Sequence, residues 1–281
     1  MSFHAGTGRT IVFGGERTID GRARLGDTWA WDGTAWTRVA TTGPSPRMDI
    51  AIAHDAARDR VVLFGGNGVS GATLTDTWEW DGRAWAMRSD SGPGARIHPV
   101  MAYDARRQRV VLHGGAGRDG WLTDTWEWDG TRWERRATDG PRYVASVAYD
   151  ASRRAVVALT LDALDGSPIT GMTTWDGTRW TPLPRTALPP LAPLEPVVSA
   201  PPPNVMIAYR SNYHEGVAAT WLWNGDQWTS DTAAGPGRVL AHAAAFDSRR
   251  NRMVVFGGLL PGEVPTDALW ERSDAGWVRR R

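Results

Sequence analysis

Six tryptophans recur along the chain at nearly constant spacing: Trp36, Trp85, Trp133, Trp180, Trp228 and Trp277. Subtracting successive numbers gives 49, 48, 47, 48 and 49 residues. A sustained period of this length marks a repeat architecture, in which one supersecondary unit is copied and each copy buries a face against the next. The chain must therefore fold as six related units.

The clearest unit contains Asp124-Thr-Trp-Glu-Trp-Asp-Gly-Thr-Arg-Trp133. Trp126 and Trp128 are two apart and share one face of a strand. Asp129-Gly130 is a short-range hairpin signal, because a tight turn matching strand twist needs positive φ. Trp133 then lies on the returning strand. Upstream, Pro99-Val-Met-Ala-Tyr-Asp104 and Arg109-Val-Val-Leu-His-Gly-Gly115 read as two more strands around a polar turn. Each unit is thus a meander of four short strands, A to D, and no segment has a helical period. Four-stranded units at this period imply a propeller, one blade per unit. The expected fold is all-β: a six-bladed β-propeller of four-stranded antiparallel blades, one domain over residues 1–281. The blades run at about 1–45, 46–95, 96–141, 142–190, 191–237 and 238–281. The chain enters on a strand A and leaves on a strand D, so no strand is exchanged between the termini. Most of the 17 tryptophans are expected to fill the space between blades, since each buried aromatic removes roughly 150–250 Å² from water.

Gly14-Gly15, Gly65-Gly66, Gly114-Gly115 and Gly257-Gly258 close the B strands, and Asp27-Thr-Trp29, Asp76-Thr-Trp78 and Asp124-Thr-Trp126 open the C strands. This pattern resembles the kelch repeat, whose marks are a double glycine ending strand B and aromatics on strands C and D. The resemblance covers essentially the whole chain and is strongest in blades one, two, three and six. Kelch-type propellers include copper radical oxidases, iron-binding nitrile-specifier proteins, sialic-acid mutarotases and protein-interaction modules. The copper enzymes need a Cys–Tyr crosslink, and this chain has no Cys. No run matches the Glu, Asp and His set of the iron proteins. The resemblance therefore carries over no catalytic residue, and fold alone licenses no chemistry.

Composition removes further classes. Without Cys there are no disulfides, zinc-thiolate sites or cysteine nucleophiles. All 32 basic residues are Arg, which excludes Schiff-base lysine chemistry and fits the codon bias of a GC-rich, bacterial-like genome. A net charge of +1 gives no field to draw in nucleic acid or an anionic membrane. No run approaches the ~18 apolar residues of a membrane span, and the first residues lack the apolar run of a signal peptide. The expectation is a cytoplasmic monomer.

Function is expected where the repeat breaks. In a four-stranded meander the B–C loops and blade connections share one side, and these are the variable segments, where function concentrates. The short A–B turns on the other side are rich in Arg and Asp, read as solvated charge. Blades four and five replace the double glycine by Thr160-Leu161 and Tyr209-Arg210. A proline-rich connection from Pro182 to Pro203, stiff and extended, joins them. Tyr209, Arg210, Asn212, Tyr213, His214 and Glu215 place many polar groups in one loop, and Asp162 and Asp165 lie in the loop of blade four. His214 can move a proton near neutral pH with Glu215 or Asp162 as its partner, and Arg210 offers a planar fork for an anionic group. A second constellation lies at the starts of the A strands, which line the channel of propellers. Counted from the preceding Arg, Asp49 and His98 are equivalent, and His242 lies near the matching place in blade six.

Three readings follow. The first is a binding propeller for a small polar molecule or peptide, over the B–C loops of blades four and five. The second is a cofactor-free isomerase, cyclase or hydrolase using the same residues. The third is a protein-interaction scaffold anchored by Trp121, which lies outside the tryptophan repeat. No cofactor is expected. The six His show no close pair in sequence, so spacing offers no metal-ligand set, and only assembly of separate blades can bring ligands together.

Overall fold

The computed structural model describes residues 1–17, 23–163, 169–184, 188, 195–201, 206–211, 218–231 and 235–280. The chain is a six-bladed β-propeller, each blade four consecutive antiparallel strands. Among the described residues the only helical element is one 3-10 turn at Val69–Gly71, and no helix is long and apolar enough to cross a membrane. The chain forms two compact units, residues 1–142 with 177–179 and residues 143–176 with 180–281.

The first unit carries blades one to three. Their A, B, C and D strands are Ser2–His4, Arg9–Phe13, Thr28–Trp31 and Trp36–Ala40 in blade one. In blade two they are Ala51–Asp55, Arg60–Phe64, Thr77–Trp80 and Trp85–Ser89. In blade three they are Val100–Asp104, Arg109–His113, Thr125–Trp128 and Trp133–Ala137. Alternation sends Val62 and Phe64 to one face of blade two, where they meet Val110, Leu112, Trp128 and Trp133 of blade three in one buried cluster.

The closing tryptophan of a blade is also a joint to the blade before it. Trp85 Nε1 donates to Thr28 Oγ1 and Trp133 Nε1 to Thr77 Oγ1, both at 2.8 Å. A second bond runs from Trp128 Nε1 to Glu79 Oε1 at 2.9 Å. Gly43 and Gly92 lie flat against these closing rings: a Cβ on either would stand 2.7 Å from the indole Cδ1.

In blades one to three the hairpin turn between C and D is held by its aspartate, and in blade five Asn224 takes that place. Asp129 Oδ1 accepts from the backbone N–H of Thr131 and Arg132, and Gly130 has φ 99°. The strands pair up to Trp128 and Trp133, so the central pair of the turn is Gly130-Thr131, one residue beyond the expected Asp129-Gly130.

The double glycines have one physical cause. Gly14 and Gly15 sit at φ 69° and 96°, in the left-handed region. There the N–H of Gly15 donates to the carbonyl of Arg47, in the connection to blade two, at 2.9 Å. A Cβ on Gly14 would lie 2.4 Å from that same oxygen. Arg47 in turn binds Asp76 through both guanidinium nitrogens, at 2.5 and 2.8 Å. Arg96 and Asp124 repeat the pair in blade three.

The second unit carries blades four to six. Blade four has Tyr143–Asp150, Ala155–Leu161, Gly171–Trp175 and Trp180–Pro182. Blade five has Val197–Ser199, Met206–Ser211, Ala218–Trp223 and Trp228–Asp231. Blade six has Ala243–Asp247, Arg252–Phe256, Leu269–Ser273 and Gly276–Arg279. The joint recurs as Trp277 Nε1 to Thr220 Oγ1 at 2.8 Å. In blade four Met172 takes the acceptor position, facing Trp228.

The A–B turns differ from the expectation of loose, solvated charge. Asp55, Asp104, Asp150 and Asp247 are buried, and each carboxylate accepts from N–H groups of its own turn. Arg58 binds both Asp55 and the buried Glu79. Arg107 joins Asp104 to Glu127, and Arg250 joins Asp247 to Glu271. These arginines close the turns and are committed to internal acids.

Candidate functional site

Asp49 and His98 meet. Each follows a short bridge that precedes strand A, Arg47–Met48 against Asn67–Gly68 and Ile97 against Ala116. The fold bends both residues into the left-handed region, at φ 57° and 53°. The N–H of His98 donates to the carbonyl of Asp49 at 3.2 Å, which ties blade three to blade two. His98 Nδ1 then stands 3.6 Å from Asp49 Oδ1, and the imidazole is about twice as exposed as the carboxylate, 35% against 17%. Burial pushes the Asp49 carboxyl up, while His98 and Arg24 pull it back. Arg24, from the B–C loop of blade one, donates to Asn67 Oδ1 at 2.9 Å. The register places Ala241, at φ 51°, at the equivalent position in blade six. His242 is therefore one residue beyond the expected match.

Around blades four and five the strands run on where the other blades turn away. Strand B of blade four continues through Thr160 and Leu161, and that of blade five through Arg210 and Ser211. Arg210-Ser211, not Tyr209-Arg210, thus stands at the glycine-pair position. Tyr209 is correspondingly not a loop residue: it is 1% exposed and fills the position of Phe13, Phe64 and Phe256. Its hydroxyl donates to the carbonyl of Gly237 at 2.8 Å, and its ring packs edge-on against His242 and Trp277. Burial and the charge of Glu195 push the phenol upward.

Arg210 lies on the opposite face of its strand, shared with Met206 and Ala208. Those two pack on Leu159, Leu161 and Met172 of blade four. Asp162, directly after Leu161, is exposed and accepts from Thr170 Oγ1 at 3.0 Å. Asp165, Asn212, Tyr213, His214 and Glu215, and most of the proline-rich connection, lie outside the described residues. Trp121 is half-buried in a small hairpin, paired with Ala116.

Sequence reasoning missed Glu195 and placed His242 only near a channel position, without its burial. Glu195 and His242 are both buried and both sit one residue before the strand position held by Val100 in blade three. Ile50 and Pro99 fill that place in blades two and three. Burial holds His242 down at about 4, so it is neutral at pH 7. Recognising the burial of these residues from sequence needs the strand register, since Glu195 lies among prolines and His242 precedes a run of alanines.

A third cluster spans blades one and two. His54 Nε2 donates to Asp59 Oδ1 at 2.9 Å, and Gly6 N–H donates to the same oxygen at 3.0 Å. His4 is buried. Its Nδ1 accepts from Thr7 N–H, which leaves its proton on Nε2, 3.7 Å from Asp59 Oδ2. Both imidazoles thus turn donors toward one carboxylate, so the cluster is a clasp between blades. Among the described residues no group of three or more acidic and His side chains has the arrangement of a metal site.

No protein-family model matches the chain, and no curated protein sequence matches it.

Proposed function

We propose that the chain is a kelch-type propeller that binds a small polar molecule or peptide on the B–C loop side of blades four and five. The observation that carries this reading is the placement of Arg210. Its strand face is the one that packs on blade four, and it occupies a position that elsewhere belongs to glycine. A guanidinium there adds a fork for an anionic or hydroxyl-rich group, with Asp162 at the end of the neighbouring strand. His214, Glu215, Tyr213, Asn212 and Asp165 belong to the same loops in sequence and complete the proposed binding set.

A second reading, a cofactor-free acid–base enzyme, is favoured by the neutral, buried His242 against Tyr209. Titratable groups displaced by burial collect at catalytic sites.

The experiment is thermal unfolding of the protein with a panel of sugars, nucleotides, organic acids and peptides, repeated with Arg210→Ala and His214→Ala. A ligand at about a hundred times its dissociation constant adds about 2.7 kcal/mol of stability. A stabilising compound whose effect disappears in Arg210→Ala supports the site. Full retention of the effect in both variants rejects it. Loss of turnover with affinity kept in His214→Ala selects the enzyme reading.

A further inference from the structure

We propose that Asp49, His98 and Arg24 form a second binding site, at the starts of the A strands of blades two and three, for a small organic anion with a hydroxyl group beside its carboxylate.

The argument begins with the backbone. The fold demands a left-handed residue at this position in blades two, three and six. Glycine meets that demand without steric cost, and nothing in the turn requires an ionisable side chain. Asp and His tolerate the region better than most residues, yet neither is the cheapest solution. In blade six the same position is filled by Ala241, with no polar group at all. The two ionisable residues occur in adjacent blades, where their side chains converge.

The convergence leaves a specific gap. Nδ1 and Oδ1 are 3.6 Å apart, too far for a direct hydrogen bond. A ligand hydroxyl oxygen can stand about 2.8 Å from both atoms, donating to the carboxylate and accepting from Nδ1–H. The His98 N–H to Asp49 carbonyl bond fixes the spacing of the two residues. Arg24 supplies the positive partner. Its charge acts on Asp49, and its Nε is buried without a hydrogen-bond partner among the described residues. The guanidinium charge favours a carboxylate on the ligand beside that hydroxyl. The Asn67 side chain holds the other end of the fork in place. This site shares no residue with the one proposed on blades four and five, so each stands or fails alone.

The test uses the whole chain, with glycolate, lactate, malate and tartrate as probes and their amides as neutral controls. Binding is read by calorimetry and by the imidazole NMR signals of His98. At least one acid is expected to bind and to move the His98 signals, with its amide binding at least about tenfold more weakly. His98→Asn and Asp49→Asn are suitable variants, because Asn accepts the left-handed conformation. Each is expected to weaken the acid at least about tenfold, while Arg24→Gln brings the acid down to the level of its amide. Failure of all four acids to move the His98 signals overturns the proposal without any variant. Unchanged affinity in His98→Asn and Asp49→Asn overturns it as well, and so does an amide that binds as well as its acid.

Discussion

The indole N–H of Trp133 donates to Thr77 Oγ1 at 2.8 Å, across 56 positions of the chain. Both groups are buried and belong to different blades. Replacing Thr77 by Val keeps the shape and removes the acceptor. A buried donor left without a partner costs about 1–3 kcal/mol, so Thr77→Val should lower unfolding free energy by about that amount, and Thr77→Ser by much less. Urea unfolding of the three proteins measures it. Equal midpoints for Thr77→Val and wild type would show that the joint contributes nothing.

Acid sensitivity has an identifiable source in His113. Burial holds this imidazole down at about 4, with Nε2 donating to the carbonyl of Pro141. Between 6.5 and 4 the unfolded chain binds a proton there and the folded chain does not. Stability therefore falls as pH falls through that window, by up to about 3 kcal/mol. Phe13, Phe64 and Phe256 occupy the equivalent position. His113→Phe should consequently lose stability less steeply than wild type between pH 7 and pH 4.5, whatever its absolute value. Parallel denaturation curves at the two pH values would contradict this.

Glu79 and Arg88 are partners of unequal weight. Glu79 is buried and receives Arg58, Arg88 and the indole of Trp128, whereas Arg88 is 44% exposed. Glu79→Ala strips three donors of their acceptor and should cost about 2 kcal/mol or more, after allowing for the solvent around the arginines. Arg88→Ala removes one exposed member and should cost less than about 1 kcal/mol. Chemical denaturation of both variants gives the ratio, and a larger loss in Arg88→Ala would refute the ranking.

Gly15 and Gly66 hold the same repeat position and the same φ of 96°, but differ in surroundings. A Cβ on Gly66 would lie 2.5 Å from the carbonyl of Met48 and 2.7 Å from Ile50, while one on Gly15 meets nothing within 4 Å among the described residues. Gly15→Ala should cost the left-handed strain alone, about 1–2 kcal/mol. Gly66→Ala adds a backbone clash and should cost more. Melting temperatures of the pair decide it: a Gly15→Ala protein that melts at or below Gly66→Ala would mean that the clash relaxes freely.

Blade number and strand order were legible because each rests on a local signal repeated along the chain. Trp133 announced its hairpin through Asp129-Gly130, but not its partner Thr77, since an inter-blade bond leaves no trace in local pattern. Asp49 and His98 were found by counting from Arg47 and Arg96, which bind equivalent aspartates. The same count misled in blade six, where the register aligns Val239, not Arg238, with those arginines. Tyr209 was read as a loop residue because the missing double glycine removed the mark of the strand end. Extra strand length is set by pairing with Ala219 and Ala218, which have no distinctive side chains. The clasp of His4, His54 and Asp59 draws on two blades and could not be read from spacing within either.

The tryptophan joints also have a direction in time. In each of the three Trp–Thr bonds the acceptor comes earlier in the chain: Thr28 before Trp85, Thr77 before Trp133, Thr220 before Trp277. Synthesis proceeds from the N-terminus, and early segments can fold before later ones are made. As the chain leaves the ribosome, the threonine that must receive each of these indoles has already been made. A new blade can then dock on a finished surface rather than wait for one, which shortens the interval in which its largest apolar side chain is open to the wrong partner.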